Sequence, residues 1–100
     1  MRKIILVFND DDIFTIRISL AHAASDSKND EYTYFMLTSK ILSADGVQLE
    51  LSEYELFLLR TSLHYTKHHT QELMNDSDTA EYYRSVLFKM KRQQQNQKQL

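Results

Sequence analysis

Phe14-Thr15-Ile16-Arg17-Ile18-Ser19-Leu20 alternates apolar and polar side chains along its whole length. A period of two is the pattern of a half-buried strand, with Phe14, Ile16, Ile18 and Leu20 toward a core and Thr15, Arg17 and Ser19 toward water. Just before it, Asn9-Asp10-Asp11-Asp12 reads as a turn, because Asn and Asp satisfy local backbone groups and tolerate unusual φ. Earlier still, Ile4-Ile5-Leu6-Val7-Phe8 is a short apolar run with β-branched and aromatic members. It predicts a strand that is apolar on both faces. After Leu20, Ala21 to Glu31 is small and polar and reads as a long connection, with a helical turn at Ala21–Ala24 as the alternative. Tyr32 to Leu42 predicts a third strand. Ala44-Asp45-Gly46 predicts a tight hairpin turn, and Val47 to Leu51 alternates again as a fourth strand.

The second half of the chain changes period. Ser52-Glu53-Tyr54-Glu55 has the spacing of a capping box, flanked by Leu51 and Leu56 at the positions of a hydrophobic staple. A helix is expected from there to about Met74. Asn75-Asp76-Ser77-Asp78 breaks it, and Asp78 with Glu81 repeats the box spacing. A second helix then runs from about Thr79 to Arg92, with Tyr83, Val86, Leu87 and Met90 as its core stripe. A link this short makes the two helices antiparallel neighbours. Strands first and helices second predict an α+β fold, an antiparallel sheet of about four strands followed by an antiparallel two-helix hairpin, ββββαα. Residues 1–92 form one domain on this reading. Residues 93–100, rich in glutamine, form a polar tail with little but Leu100 to dock it.

Composition excludes several kinds of chemistry. The chain has 100 residues, no cysteine and one glycine. That rules out a disulfide scaffold, a thiolate nucleophile, a cysteine-ligated zinc or iron–sulfur site, and a glycine-rich phosphate loop. Twelve basic side chains against fourteen acidic ones leave a net charge of −2, with no bulk attraction to nucleic acid or an acidic membrane. Arg2 and Lys3 ahead of Ile4–Phe8 imitate a signal peptide. The apolar run is shorter than the roughly 7–15 residues of a signal sequence and the roughly 20 of a membrane helix, so a cytoplasmic protein is expected. The texture, short, free of proline and cysteine and closing on glutamines, is similar to that of small accessory proteins of phages and mobile elements. That likeness is one of composition and implies neither a fold nor an activity.

Three groups of residues are candidates for a site. The helix after Ser52 carries two apolar stripes, Leu56, Leu59 and Leu63 on one side and Tyr54, Leu58 and Tyr65 on the other. Such a helix is either held between the sheet and its neighbour helix or offers one stripe to another chain. Tyrosine suits an interface, since its ring buries area while its hydroxyl stays wet. Tyr54, Leu58 and Tyr65 are therefore the candidate centre of a homodimer. Arg84, Lys89, Lys91 and Arg92 gather on the last helix and could track a phosphate backbone. His64, His68 and Glu72 fall at i, i+4 and i+8, a weak metal-ligand spacing short of a full ligand set, so neither metal nor cofactor is expected. No catalytic ordering stands out. The expected function is that of a non-enzymatic, self-associating protein-interaction module, a small accessory or inhibitor protein that occupies a surface on a cellular macromolecule. The alternative is a nucleic-acid-binding protein using the basic C-terminal helix.

Overall fold

A computed structural model describes residues 3–26, 31–43 and 48–98. In chain order the elements are strand β1 (Lys3–Val7), helices α1 (Asp10–Asp26) and α2 (Glu31–Ser43), strand β2 (Gln48–Ser52) and helix α3 (Glu53–His68). A π-helical turn (His69–Leu73) extends α3, and helix α4 (Ser77–Lys98) follows. The described residues are mostly helical, and their strands form one two-stranded antiparallel sheet in the order β1-β2. This corrects the expected ββββαα fold. Two of the four expected strands, at 14–20 and 32–42, are helices.

Asn9 explains the first correction. Its side-chain Oδ1 accepts from the Asp12 amide at 2.7 Å, and Asp12 Oδ2 accepts from the Asn9 amide at 3.2 Å. The Ile13 amide donates to the Asn9 carbonyl at 3.0 Å, the first bond of the helical ladder. Asn9 is thus a helix N-cap in a reciprocal box. Asp10, Asp11 and Asp12 fill the first turn, where carboxylates favour the positive end of the helix dipole. The stretch read as a turn is the start of a helix. Its core stripe is Asp12, Ile16, Ser19, Leu20 and Ala23, all buried. Among the described side chains of α2, Tyr34, Leu37 and Ile41 are buried, at i, i+3 and i+7. Ala21–Asp26, expected as connection, continues α1. The Ala44-Asp45-Gly46 turn lies outside the described residues.

β1 and β2 come from opposite ends of the expected sheet. They pair in the register Ile4↔Leu51, Ile5↔Glu50 and Leu6↔Leu49. Ile4, Leu6, Leu49 and Leu51 face the core, while Ile5 and Val7 lie on the exposed outer face. One side of β1 is therefore open, although its sequence is apolar on both.

The helical half follows its sequence closely. Ser52 Oγ accepts from the Glu55 amide at 3.1 Å, and Glu55 Oε1 accepts from the Ser52 amide at 2.9 Å, a complete capping box. Leu51 and Leu56 beside it are buried. α3 ends through the π turn into Asn75, whose φ of 53° is the left-handed conformation that asparagine tolerates. The cap of α4 is Asp76 rather than Asp78. Its carboxylate accepts from the Thr79 amide at 3.1 Å and the Thr79 hydroxyl at 2.6 Å. Tyr83, Val86 and Met90 then enter the core.

Single polar contacts tie the elements together. Lys89 Nζ of α4 donates to Asp12 Oδ2 of α1 at 2.8 Å, and Lys40 of α2 to Glu55 of α3 at 2.8 Å. The Gln93 amide bonds both backbone groups of Val7, accepting from its N–H at 2.7 Å and donating to its C=O at 2.8 Å. The helix therefore continues past Arg92, and its first glutamine holds the edge of β1. Among the described residues, no buried side-chain nitrogen or oxygen lacks a hydrogen-bond partner. No helix of the described residues is long and apolar enough to cross a membrane.

Candidate interaction surface

At about 100° per residue, the side of α1 opposite its core stripe carries Phe14, Ile18 and Ala21. Phe14 is 63% exposed and Ile18 41%. α4 flanks this ridge on one side and α2 on the other. Neither covers it. Between α1 and α4 lies a groove of about 380 Å³, lined by Asp11, Phe14, Thr15, Ile18, Thr79, Tyr82 and Tyr83. Between α1 and α2 lies one of about 520 Å³, lined by Ala21, Ala24, Tyr32, Phe35 and Thr38. The rings beside the grooves stand out into solvent, with Tyr82 67%, Tyr32 74% and Phe35 65% exposed. With each large side chain presenting roughly 100 Å², the band offers on the order of 500 Å² of apolar surface. That is at the upper end of what a monomer leaves in water, and such patches mark binding sites.

The residues proposed for an interface from sequence do not form one surface. Leu58 is 4% exposed and belongs to the core. Tyr54 and Tyr65 are exposed on α3, roughly 16 Å apart along its axis at 1.5 Å per residue. Tyr65 packs its ring against His22 of α1, with centroids 5.1 Å apart.

The basic group is partly engaged within the chain. Lys89 neutralises the buried carboxylate of Asp12. Arg84 pairs with Glu81 at 2.9 Å, one turn away on the same helix. Lys91 and Arg92 are exposed. The histidine group is dispersed in a similar way. His64, His68 and Glu72 are exposed, and no group of three or more His, Cys, Asp or Glu among the described residues could hold a metal ion. Although His64 is largely open to solvent, its partial desolvation, with the neighbouring Lys67 and Arg60 charges, lowers its pKa below the ordinary value. This favours the neutral ring. The structure instead brings His69, first residue of the π turn, against His22, with ring centroids 4.6 Å apart. His22 Nδ1 lies 3.3 Å from the hydroxyl of the buried Thr66.

Phe14, Ile18, Tyr32, Phe35 and Tyr82 were not legible as a surface, because a strand reading buries Phe14 and Ile18. Two signals in the sequence point the other way. Asn9 and Asp12 have capping-box spacing, and Ile13, Ile16, Leu20 and Ala23 repeat at helical intervals. No family model, curated protein or solved structure matches this chain.

Proposed function

We propose that the chain is a non-enzymatic protein-interaction module, a small cytoplasmic accessory protein that works by occupying a protein surface through the outer face of α1. The observation that carries this reading is the pair of open grooves flanking α1, one lined by the exposed Phe14, Ile18 and Tyr82 and the other by the exposed Tyr32 and Phe35. Rings flanking apolar grooves are the usual anchors of protein interfaces, since each buries a large area with little loss of side-chain freedom. The chemistry of the band favours a protein over a nucleic acid as partner. Two of the four cations that would track phosphates, Lys89 and Arg84, are held in ion pairs within the chain. A chain without cysteine also suits a reducing compartment.

Affinity capture from a lysate of the native host tests the proposal. Immobilised wild type is compared with a Phe14→Ser/Phe35→Ser variant that retains the wild-type circular dichroism spectrum. Both side chains are already in water, so the variant is expected to fold. Proteins retained by the wild type should be lost from the variant. Equal retention by both would refute this face as the contact surface.

A further inference from the structure

The outer face of α1 carries both exposed rings and open grooves, and this inference rests on the reading of that face as a contact surface. Its ridge passes through Phe14, Ile18 and Ala21, with Ile18 in the middle. The two grooves lie on opposite flanks, one with α4 beside Phe14 and one with α2 beside Ala21. Protruding rings border each groove. A face with rings and grooves on either side of a central residue can place the rings of one copy in the grooves of the other, as an isologous contact needs, in which every contact between two residues occurs twice. We infer that the partner is a second copy of this chain, docked about a two-fold axis that passes close to Ile18.

The size of the face agrees. About 500 Å² of apolar surface, at the roughly 65% apolar share of homodimer interfaces, corresponds to about 800 Å² per partner. That is the area of a standard stable interface. The charges agree as well. Asp11 lines one groove and Arg17 is exposed next to Ile18, and neither forms an ion pair within the chain among the described residues. Two copies therefore do not meet as surfaces of one sign.

The absence of cysteine makes the test direct, because one introduced thiol is the only thiol in the protein. Ile18→Cys is compared with Tyr54→Cys, which probes the α3 face instead. A disulfide needs Cα atoms within about 7 Å, a condition met between identical residues only near a two-fold axis. Ile18→Cys should cross-link to a dimer at least about tenfold faster than Tyr54→Cys, since thiols held together see a millimolar effective concentration. Sedimentation equilibrium of the wild type should show a dimer at micromolar concentration, and Ile18→Glu should sediment as a monomer. A wild type that stays monomeric overturns the second copy as partner. In that case a difference between wild type and variant in the lysate capture would still support the face as a contact surface. A wild-type dimer that cross-links through Tyr54→Cys and not Ile18→Cys overturns the proposed axis. Should Ile18→Glu fail to fold, the cross-linking rates decide alone.

Discussion

Replacing Asn9 by Ala tests the element on which the fold turns. Asn9 makes three contacts at the start of α1. Its side chain accepts from the Asp12 amide at 2.7 Å, its amide donates to the Asp12 carboxylate at 3.2 Å, and its carbonyl accepts from the Ile13 amide at 3.0 Å. Alanine removes only the first. Asp12 stays in place, because Lys89 still holds its carboxylate at 2.8 Å. The cost is that of one lost cap, about 1 kcal/mol within a range of about 0.5–2. In a domain of this size about 1 kcal/mol corresponds to roughly 4–8 °C in thermal midpoint. Urea and thermal unfolding followed by circular dichroism at the helical minimum measure both quantities. Asn9→Asp is the control. It keeps an acceptor for the Asp12 amide and should remain within about 0.5 kcal/mol of wild type. If residues 14–20 were a strand, Asn9 would be a surface turn residue, and its loss would cost no more than about 0.5 kcal/mol. An unchanged midpoint for Asn9→Ala, or an equal loss for Asn9→Asp, would refute the helix at this position.

Leu58→Ala should destabilise by about 2–5 kcal/mol, the cost of a cavity at a core leucine, and urea melts that place it within experimental error of wild type would put Leu58 on the surface. Lys89→Met leaves the buried Asp12 carboxylate without its cation and should cost about 1–2 kcal/mol, with part of the loss recovered in Asp12→Asn/Lys89→Met; additive losses in that double-mutant cycle would show that the pair is not coupled. Gln93→Ala removes both bonds to Val7 at an exposed site and should cost about 0.5–1 kcal/mol, while hydrogen exchange at the Val7 amide that is no faster in the variant would contradict the contact. Burial pushes the Glu55 carboxyl up, but the hydrogen bonds from Lys40 and Ser52 and the Lys40 charge outweigh it and hold the group below the ordinary value of 4.5. A carboxylate with a lowered pKa contributes stability above its unfolded value and loses it as the pH falls through the folded one. The stability difference between wild type and Glu55→Gln should therefore be present at neutral pH and shrink in acid, and a difference that stays constant would remove Glu55 as its source.

The helical half was legible because its signals are local. Ser52 and Glu55, Leu51 and Leu56, and the stripe Tyr83, Val86, Leu87 and Met90 each act within a few residues, and the structure holds them, with Leu87 only half-buried at the edge of the core. The cap of α4 was displaced by two residues because Asp76 and Asp78 offer the same side chain, and only the contacts to Thr79 distinguish them. The strand half failed for a different reason. Ten to twenty residues of alternation need turns between them, and this chain has one glycine and no proline, so a four-stranded meander had little turn chemistry to rely on. The pairing of β1 with β2 was beyond any local reading, since the two strands are separated by both α1 and α2.

The missed helix and the missed surface have one cause. The alternating residues Phe14, Ile16, Ile18 and Leu20 are two interleaved pairs, each four residues apart. A strand places all four on one face. A helix places Ile16 and Leu20 together and puts Phe14 and Ile18 together roughly half a turn away. The structure buries the first pair completely and leaves the second in water. α2 divides its apolar residues in the same way, with Tyr34 and Leu37 inside and Tyr32 and Phe35 outside. More apolar side chains are present than one side of each helix can bury; part of the excess falls on α1 and α2, and the rest lies on β1, α3, the π turn and α4. A folded monomer gains nothing in stability from a ring exposed to water, whereas a contact surface needs such rings. On the proposed reading, a second body covering the outer face of α1 takes up the part of the surplus that lies there.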